Sequence, residues 1–300
     1  MREHTEPVAA ALTAIRDGDA GSLRGLLASH PELVHVEVGA GGSLLGAVAQ
    51  PDVFGASLRH ALGVDRECVD VLIESGSDLD GPLNLAACFD RLELVRILLA
   101  AGARVDVTGI HGITPLQSAL YHASRASADV LAVIALVPDA PWVAAGAGRV
   151  DRLEGFLDER GGLLPEAYQH RPNPADVGWL QRPPARDIAQ DVLDEALVHA
   201  AQNERPQAVA WLLEHGADPN AGPYQGCGAL HLAAAFGALE SVRLLIAAGA
   251  ELDRPNDFNG DNALGWAEYV LDRERPGDPH VAAVRDLLRT LGSRPLVWGA

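Results

Sequence analysis

The chain has 300 residues, 48% apolar and 21% charged, enough for one or two globular domains or one long repeat array. Its 23 basic residues are all arginine and are outnumbered by 41 acidic ones, giving a formal net charge of -18. A field of that sign repels phosphate backbones and anionic lipid heads, which argues against nucleic acid and membrane surfaces as partners.

A short phrase recurs about eight times: a helix of small residues, a Leu-rich helix, then a closure on Gly-Ala or a near equivalent. Irregular copies run over 8–29 and 43–80, the second enlarged by residues 50–64. In it, Cys68-Val-Asp-Val-Leu-Ile-Glu74 has the spacing of an amphipathic helix and closes at Ser75-Gly76-Ser77. The third copy follows so closely that its finger must be short; it pairs Leu83–Ala87 with Leu94–Ala100 and closes at Ala101-Gly102-Ala103. Ile113-Thr-Pro-Leu-Gln-Ser-Ala119 opens the fourth, and 141–161 forms a weaker fifth.

The pattern then lapses from Leu164 to Asp194, where Pro165, Pro172, Pro174, Pro183 and Pro184 break helical continuity and predict a long loop. This loop carries Tyr168, His170, Arg171, Asp176, Trp179 and Arg182, too aromatic a set for simple disorder. Regular copies resume at Val209–Glu214, closing on His215-Gly216-Ala217, and at Leu230–Ala234 with Val242–Ala247, closing on Ala248-Gly249-Ala250. The last spans 262–292 and is lengthened by residues 272–280. Gly216 and Gly249 lie 33 residues apart.

That period, with Ile113–Ala119, Gly228-Ala-Leu-His-Leu-Ala-Ala234 and Gly216-Ala-Asp-Pro-Asn220, resembles the ankyrin repeat family, whose signatures are Thr-Pro-Leu-His-x-Ala-Ala and Gly-Ala-Asp-x-Asn. The resemblance covers nearly the whole chain. It implies an all-α solenoid of stacked helix-turn-helix pairs with short β-fingers, one domain over residues 1–300 with an irregular loop at about 164–194.

The resemblance also implies a ligand-facing concave side, built from finger tips and the two residues after each Leu-x-Ala-Ala. Register places Cys88 and Phe89, Tyr121 and His122, Gly146 and Ala147, Gln202 and Asn203, Ala235 and Phe236, and Tyr269 and Val270 there. The fingers add His111, Tyr224, Gln225, Phe258, Asn259 and Asp261. Three of the four tyrosines fall on this surface, which points to a groove lined by π-faces and hydroxyls; packing between repeats is the alternative. Trp142, Trp211 and Trp266 are expected between repeats. His231 takes the signature histidine's place and is expected to hydrogen-bond finger backbone, and His199 to lie inside. Glu268 stands where the family has Ala and either faces the groove as a carboxylate anchor or general base, or is a solvated helix-end group.

Metal-ligand and nucleotide motifs are missing: Cys227-x-x-x-His231 belongs to the repeat signature, Gly39-Ala-Gly-Gly-Ser43 fits no phosphate loop, and no Gly-x-Ser-x-Gly elbow occurs. No metal and no cofactor are expected. Cys68, Cys88 and Cys227 are too few for a disulfide framework and suit a reducing cytoplasm. Residues 1–7 carry no apolar leader core, and no stretch reaches the roughly 18 apolar residues of a membrane span. A soluble, cytoplasmic, monomeric protein from a GC-rich bacterial gene is the expectation.

Two functions follow. In the first, the concave face and long loop recognise a protein partner through Phe89, His111, Tyr121, His122, Trp179, Gln202, Asn203, Tyr224, Phe236, Phe258, Asp261 and Tyr269. In the second, loop and groove enclose a small organic ligand, and His122, His170, Tyr168, Asp176 and Glu268 perform acid-base isomerisation, cyclisation or hydration without metal or nucleotide.

Overall fold

The computed structural model describes residues 5–38, 42–50, 66–109, 112–135, 140–169, 171 and 187–296. It forms two compact units, Met1–Leu136 and Val137–Ala300. Apart from Gln50, the enlargement at 50–64 lies outside the described residues, as do His111, His170, Asp176 and Trp179.

Unit 1 pairs α1 (Thr5–Asp17) with α2 (Ala20–Ser29), α3 (Leu44–Ala49) with α4 (Arg66–Glu74), α5 (Asp80–Cys88) with α6 (Leu92–Ala100), and α7 (Pro115–Tyr121) with α8 (Arg125–Ile134). The inner helices α1, α3, α5 and α7 pack each on the next; among the outer ones, α2 meets α4 and α6 meets α8. Unit 2 pairs α9 (Pro141–Gly146) with α10 (Val150–Glu154), α11 (Ile188–Gln202) with α12 (Pro206–Glu214), α13 (Ala229–Ala235) with α14 (Leu239–Ala247), and α15 (Ala263–Tyr269) with α16 (Pro279–Thr290). Its inner and outer helices stack in the same order. Among the described residues there are eight such pairs, one for each copy read from the sequence. Among the described residues the fingers carry only isolated bridges, Leu157–Leu163 and Tyr224–Cys227, because so short a hairpin cannot sustain a ladder.

Side-chain size sets the stacking. Ala86, Ala87, Ala119, Ala200, Ala201, Ala233 and Ala234 are fully buried, which lets neighbouring inner helices approach closely. Leu72, Leu98, Leu131, Leu212, Leu245 and Leu288 of the outer helices are equally buried, each contributing about 1.5–3 kcal/mol. The Gly-Ala closures end these helices. Gly102, Gly216 and Gly249 adopt φ of 97°, 92° and 92°, and the next amide reaches back to Leu98, Leu212 and Leu245 carbonyls at 2.9–3.0 Å.

Neighbouring repeats are also joined through the turn between inner and outer helices. Asp90 and Glu204 occupy that turn with φ of 51° and 54°. Each turns its carboxylate onto the next repeat's outer helix, Asp90 accepting from Ser127 N at 2.8 Å and Glu204 from Glu240 N at 2.8 Å. One residue thus both shapes a turn and caps a neighbouring helix N-terminus.

Two stretches depart from expectation. The predicted loop ends earlier than Asp194, because α11 starts at Ile188 behind an Asp187 cap that accepts from Ala189 N and Gln190 N. Past Pro184 nothing forbids a helix, and Val192 and Ala196 give it a buried side. At its other end the loop opens with a single 3-10 turn, Pro165–Tyr168. In the last repeat, part of the lengthening is a π-turn, Val270–Glu274, that prolongs α15.

Candidate functional site

The expected ligand-facing positions divide sharply by burial. In unit 1, Phe89 caps α5 and is 41% exposed, whereas Tyr121 at the end of α7 is buried. His122 caps α7 half-buried, its ring 6.1 Å from that of Tyr121. In unit 2, Phe258 and Tyr269 stand 50% and 56% exposed, and Phe236 caps α13 half-buried. Arg275 lies over the Phe236 ring at 5.5 Å and donates to the Ala235 carbonyl.

Tyr224, Gln202 and Asn203 do not stand open to solvent as their register implied. Tyr224 is fully buried, its hydroxyl 3.2 Å from His199 Nε2. The cause is the tight turn around it: Gln225 and Gly226 take φ of 51° and 75°, and the ring turns toward α11. Gln202 Nε2 sits 3.3 Å from His199 Nδ1, and Asn203 Nδ2 donates to the His199 carbonyl at 2.9 Å. Trp142 packs on the same imidazole, ring centres 4.7 Å apart. These groups therefore form a buried polar cluster around His199, which is itself 1% exposed. Asp261 is buried too, with its carboxylate lying where a Cβ on Gly265 would come within 1.9 Å.

Two of the described acid-base candidates, Glu268 and Tyr168, have structural partners. Glu268 accepts from Arg289 Nη2 at 2.8 Å and Nε at 3.1 Å. The Tyr168 hydroxyl donates to the Leu163 carbonyl at 3.5 Å. Among the described residues no three His, Cys, Asp or Glu side chains converge as metal ligands, and no helix is long and apolar enough to cross a membrane.

His231 fills the role its position implies, accepting from Gly228 N at 3.3 Å through Nδ1 and meeting the Arg254 carbonyl at 3.0 Å through Nε2. Burial pulls its pKa from 6.5 down to about 4. Asp194 moves the other way: burial raises it from 3.8 to about 6, although Asp218 N and Gln190 Nε2 both donate to it at 2.8 Å. The consequences for stability have opposite signs. As pH falls from 6.5 to 4 the unfolded chain takes up the His231 proton first, so that contribution is lost. Over 6 to 3.8 the folded chain takes up the Asp194 proton first, so stability is regained. Asp194→Asn is therefore expected to lose stability more steeply between pH 6.5 and 4 than the parent, by about 2 kcal/mol. Urea unfolding at pH 7 and pH 4.5 checks this, and parallel curves for the two proteins refute it.

Sequence reasoning missed the arginines that join repeats. Arg205 Nε donates to the Gly146 carbonyl at 2.9 Å, closing the end of α9 from the next repeat. Arg275 does the same for α13 at Ala235. A signal was present, because both lie in a Glu-Arg-Pro tripeptide, 204–206 and 274–276. Proline holds the preceding arginine out of the helical region, at φ/ψ of -112°/72° and -134°/69°.

The family descriptions that match are "Ankyrin repeats (3 copies)" over residues 172–268 and "Ankyrin repeat" over residues 78–110. The mouse B-cell lymphoma 3 protein homolog is 33% identical over 181 residues, 59% of this chain, and the chain spans only 38% of that protein's length. The bovine ankyrin repeat domain-containing protein 37 is 30% identical over 128 residues, which is 36% of this chain and 80% of that protein. A solved human structure, the ASB11 ankyrin repeat domain, aligns with 95% of this chain and 99% of its own at 20% identity and a TM-score of 0.40.

Proposed function

The chain belongs to the ankyrin repeat family, and from that premise we propose that it recognises a protein partner, using in unit 2 the inner-helix ends and finger of the last repeat. The observation that carries this reading is the exposure of Phe258 and Tyr269 at 50% and 56% in that one repeat. Rigid aromatic side chains left in water gain most from a partner that covers them, and they dominate interface energetics. Phe236, with the Arg275 guanidinium over its ring, adds a cation beside the aromatic groups on the preceding repeat. Phe89 offers a further exposed ring in unit 1. Of the acid-base candidates, Glu268 is engaged by Arg289 and Tyr168 by backbone.

The double variant Phe258→Ala/Tyr269→Ala tests the reading, because both rings are exposed and their loss leaves the core intact. Affinity capture from extracts of the source cells, with quantitative mass spectrometry, is expected to show tenfold or greater depletion of a partner retained by the parent chain. Undiminished retention of every partner by a variant with parental melting temperature overturns the assignment.

A further inference from the structure

Three inner helices end on a carbonyl that is met by a side chain from the turn leading into the next repeat's outer helix. Cys88 is met by the Ser124 hydroxyl at 2.7 Å, Gly146 by Arg205 Nε at 2.9 Å, and Ala235 by Arg275 Nη2. The residue after each carbonyl takes an expected ligand-facing position, and it differs: Phe89, Ala147 and Phe236. Phe89 and Phe236 share one backbone conformation, with φ/ψ of -97°/14° and -97°/5°. Their rings nevertheless meet different surroundings. Phe89, with the short Ser124 at its carbonyl contact, is 41% exposed, whereas Phe236 is half-buried with the Arg275 guanidinium 5.5 Å from its ring centre. With the backbones alike, what the next repeat sets against the ring is a hydroxyl in one case and a cation in the other.

The lengthened segment of the last repeat delivers that cation. Its π-turn closes where Arg275 N donates back to the Val270 carbonyl at 2.7 Å, and Pro276 keeps Arg275 out of the helical region. Asp278 Oδ2 accepts from Arg275 Nη1 at 3.3 Å, while its Oδ1 caps α16 through His280 N and Val281 N at 2.9 and 3.2 Å. The turn after Phe236 lies close by, since a Cβ on Gly237 would come within 2.7 Å of the His280 backbone carbon. The guanidinium thus has one nitrogen on the Ala235 carbonyl, a second on Asp278 and a face on the ring. So engaged within the chain, it acts on a partner through the ring. Resting on the reading that this face recognises a protein, we propose that Arg275 is a positioning residue of the recognition site. It fixes the orientation of the Phe236 ring, and the lengthening of the last repeat serves recognition by carrying it there. A ring held in one orientation beforehand gives up less freedom when a partner covers it.

The probe is the partner that the parent chain retains in the capture described above, purified and titrated against full-length variants at a temperature where all are folded. Arg275→Met and Phe236→Leu are each expected to weaken binding by about tenfold or more. Arg205→Met breaks the equivalent bond beside Ala147, where there is no ring to hold, and is expected to leave the affinity within about twofold of the parent. Because Arg275 acts through the ring, Arg275→Met/Phe236→Leu is expected to bind no more weakly than Phe236→Leu alone. In chains labelled with para-fluorophenylalanine, Arg275→Met is expected to move the fluorine resonance of Phe236 and to leave that of Phe258 in place. Additive losses in the double variant, equal weakening by the two Met variants, or an unmoved Phe236 resonance each overturn the proposal. Loss of the partner by Phe258→Ala/Tyr269→Ala but not by Phe236→Leu overturns this proposal alone. Undiminished binding by both overturns the reading beneath it and this proposal with it.

Discussion

Arg171→Ala is expected to lower the unfolding free energy by about 3–5 kcal/mol, the cost of removing one member of a buried ion pair. Arg171 grips Glu195 on α11 in a bidentate pair, Nε to Oε2 at 2.9 Å and Nη2 to Oε1 at 2.7 Å, and reaches Asp191 at 3.4 Å. The Glu195 side chain is 1% exposed and that of Arg171 12%, so water replaces neither bond readily. Burial opposes the arginine's charge, but the hydrogen bond and attraction of Glu195 outweigh it and the guanidinium pKa is raised. The pair thus ties Arg171, within the irregular stretch, to an inner helix of unit 2. A second variant separates loss of the tie from loss of the charge balance. Arg171→Ala/Glu195→Leu removes both charges and is expected to recover most of the deficit. Urea unfolding measures both, and a cost below about 1 kcal/mol for Arg171→Ala would show that the pair is not buried in solution.

Gly228→Thr is expected to destabilise unit 2 by about 1–3 kcal/mol, although it installs the residue that the family signature places there. The fourth repeat shows what that threonine normally does. Thr114 Oγ1 accepts from Gln117 N at 3.3 Å, and Gln117 Oε1 accepts from Thr114 N at 2.9 Å, a reciprocal cap on α7 worth roughly 1 kcal/mol. At the start of α13 the finger comes too close for any side chain. A Cβ on Gly228 would lie 2.0 Å from the Ala221 carbonyl oxygen, a backbone atom that moves only if the finger moves. Gly222 is similarly crowded by Gly226 Cα at 2.5 Å, and the Gln225 carbonyl accepts from Asp257 N at 2.8 Å in the next finger. The finger that turns Tyr224 inward is therefore compact because these positions are glycine. Thermal unfolding of Gly228→Ala and Gly228→Thr measures the effect. A melting temperature at or above the parent's for both would mean that the finger relaxes freely and that the close approach has no energetic weight.

Both expectations involve residues whose importance was only partly legible in the chain. Arg171 stood out for lying in a Pro-rich, aromatic stretch, but of its two partners Asp191 lay in what read as loop and proved to be helix, and Glu195 lay just past it with nothing to mark it. Gly228 read as a neutral variant of a signature, since nothing in its neighbours reports where Ala221 passes. The face residues divide similarly. Phe89, Phe258 and Tyr269 are exposed, whereas Tyr121, Tyr224, Gln202 and Asn203 are buried. Register gives an angular position on a helix; it does not report how closely the adjoining finger folds over it.

What the sequence determined by itself was local: eight helix pairs, their closures at glycines with positive φ, and a histidine at the signature position bonded to backbone. Each follows from a conformational demand within a few residues, or from a period that the chain repeats. The tertiary structure alone decided which aromatic rings meet water, which carboxylates cap a neighbouring helix, and which arginines close the preceding repeat. Those outcomes depend on distances between segments 20 to 60 residues apart in the chain, as with Arg205 and Gly146 at a separation of 59 or Arg171 and Asp191 at 20, and no local preference encodes such distances.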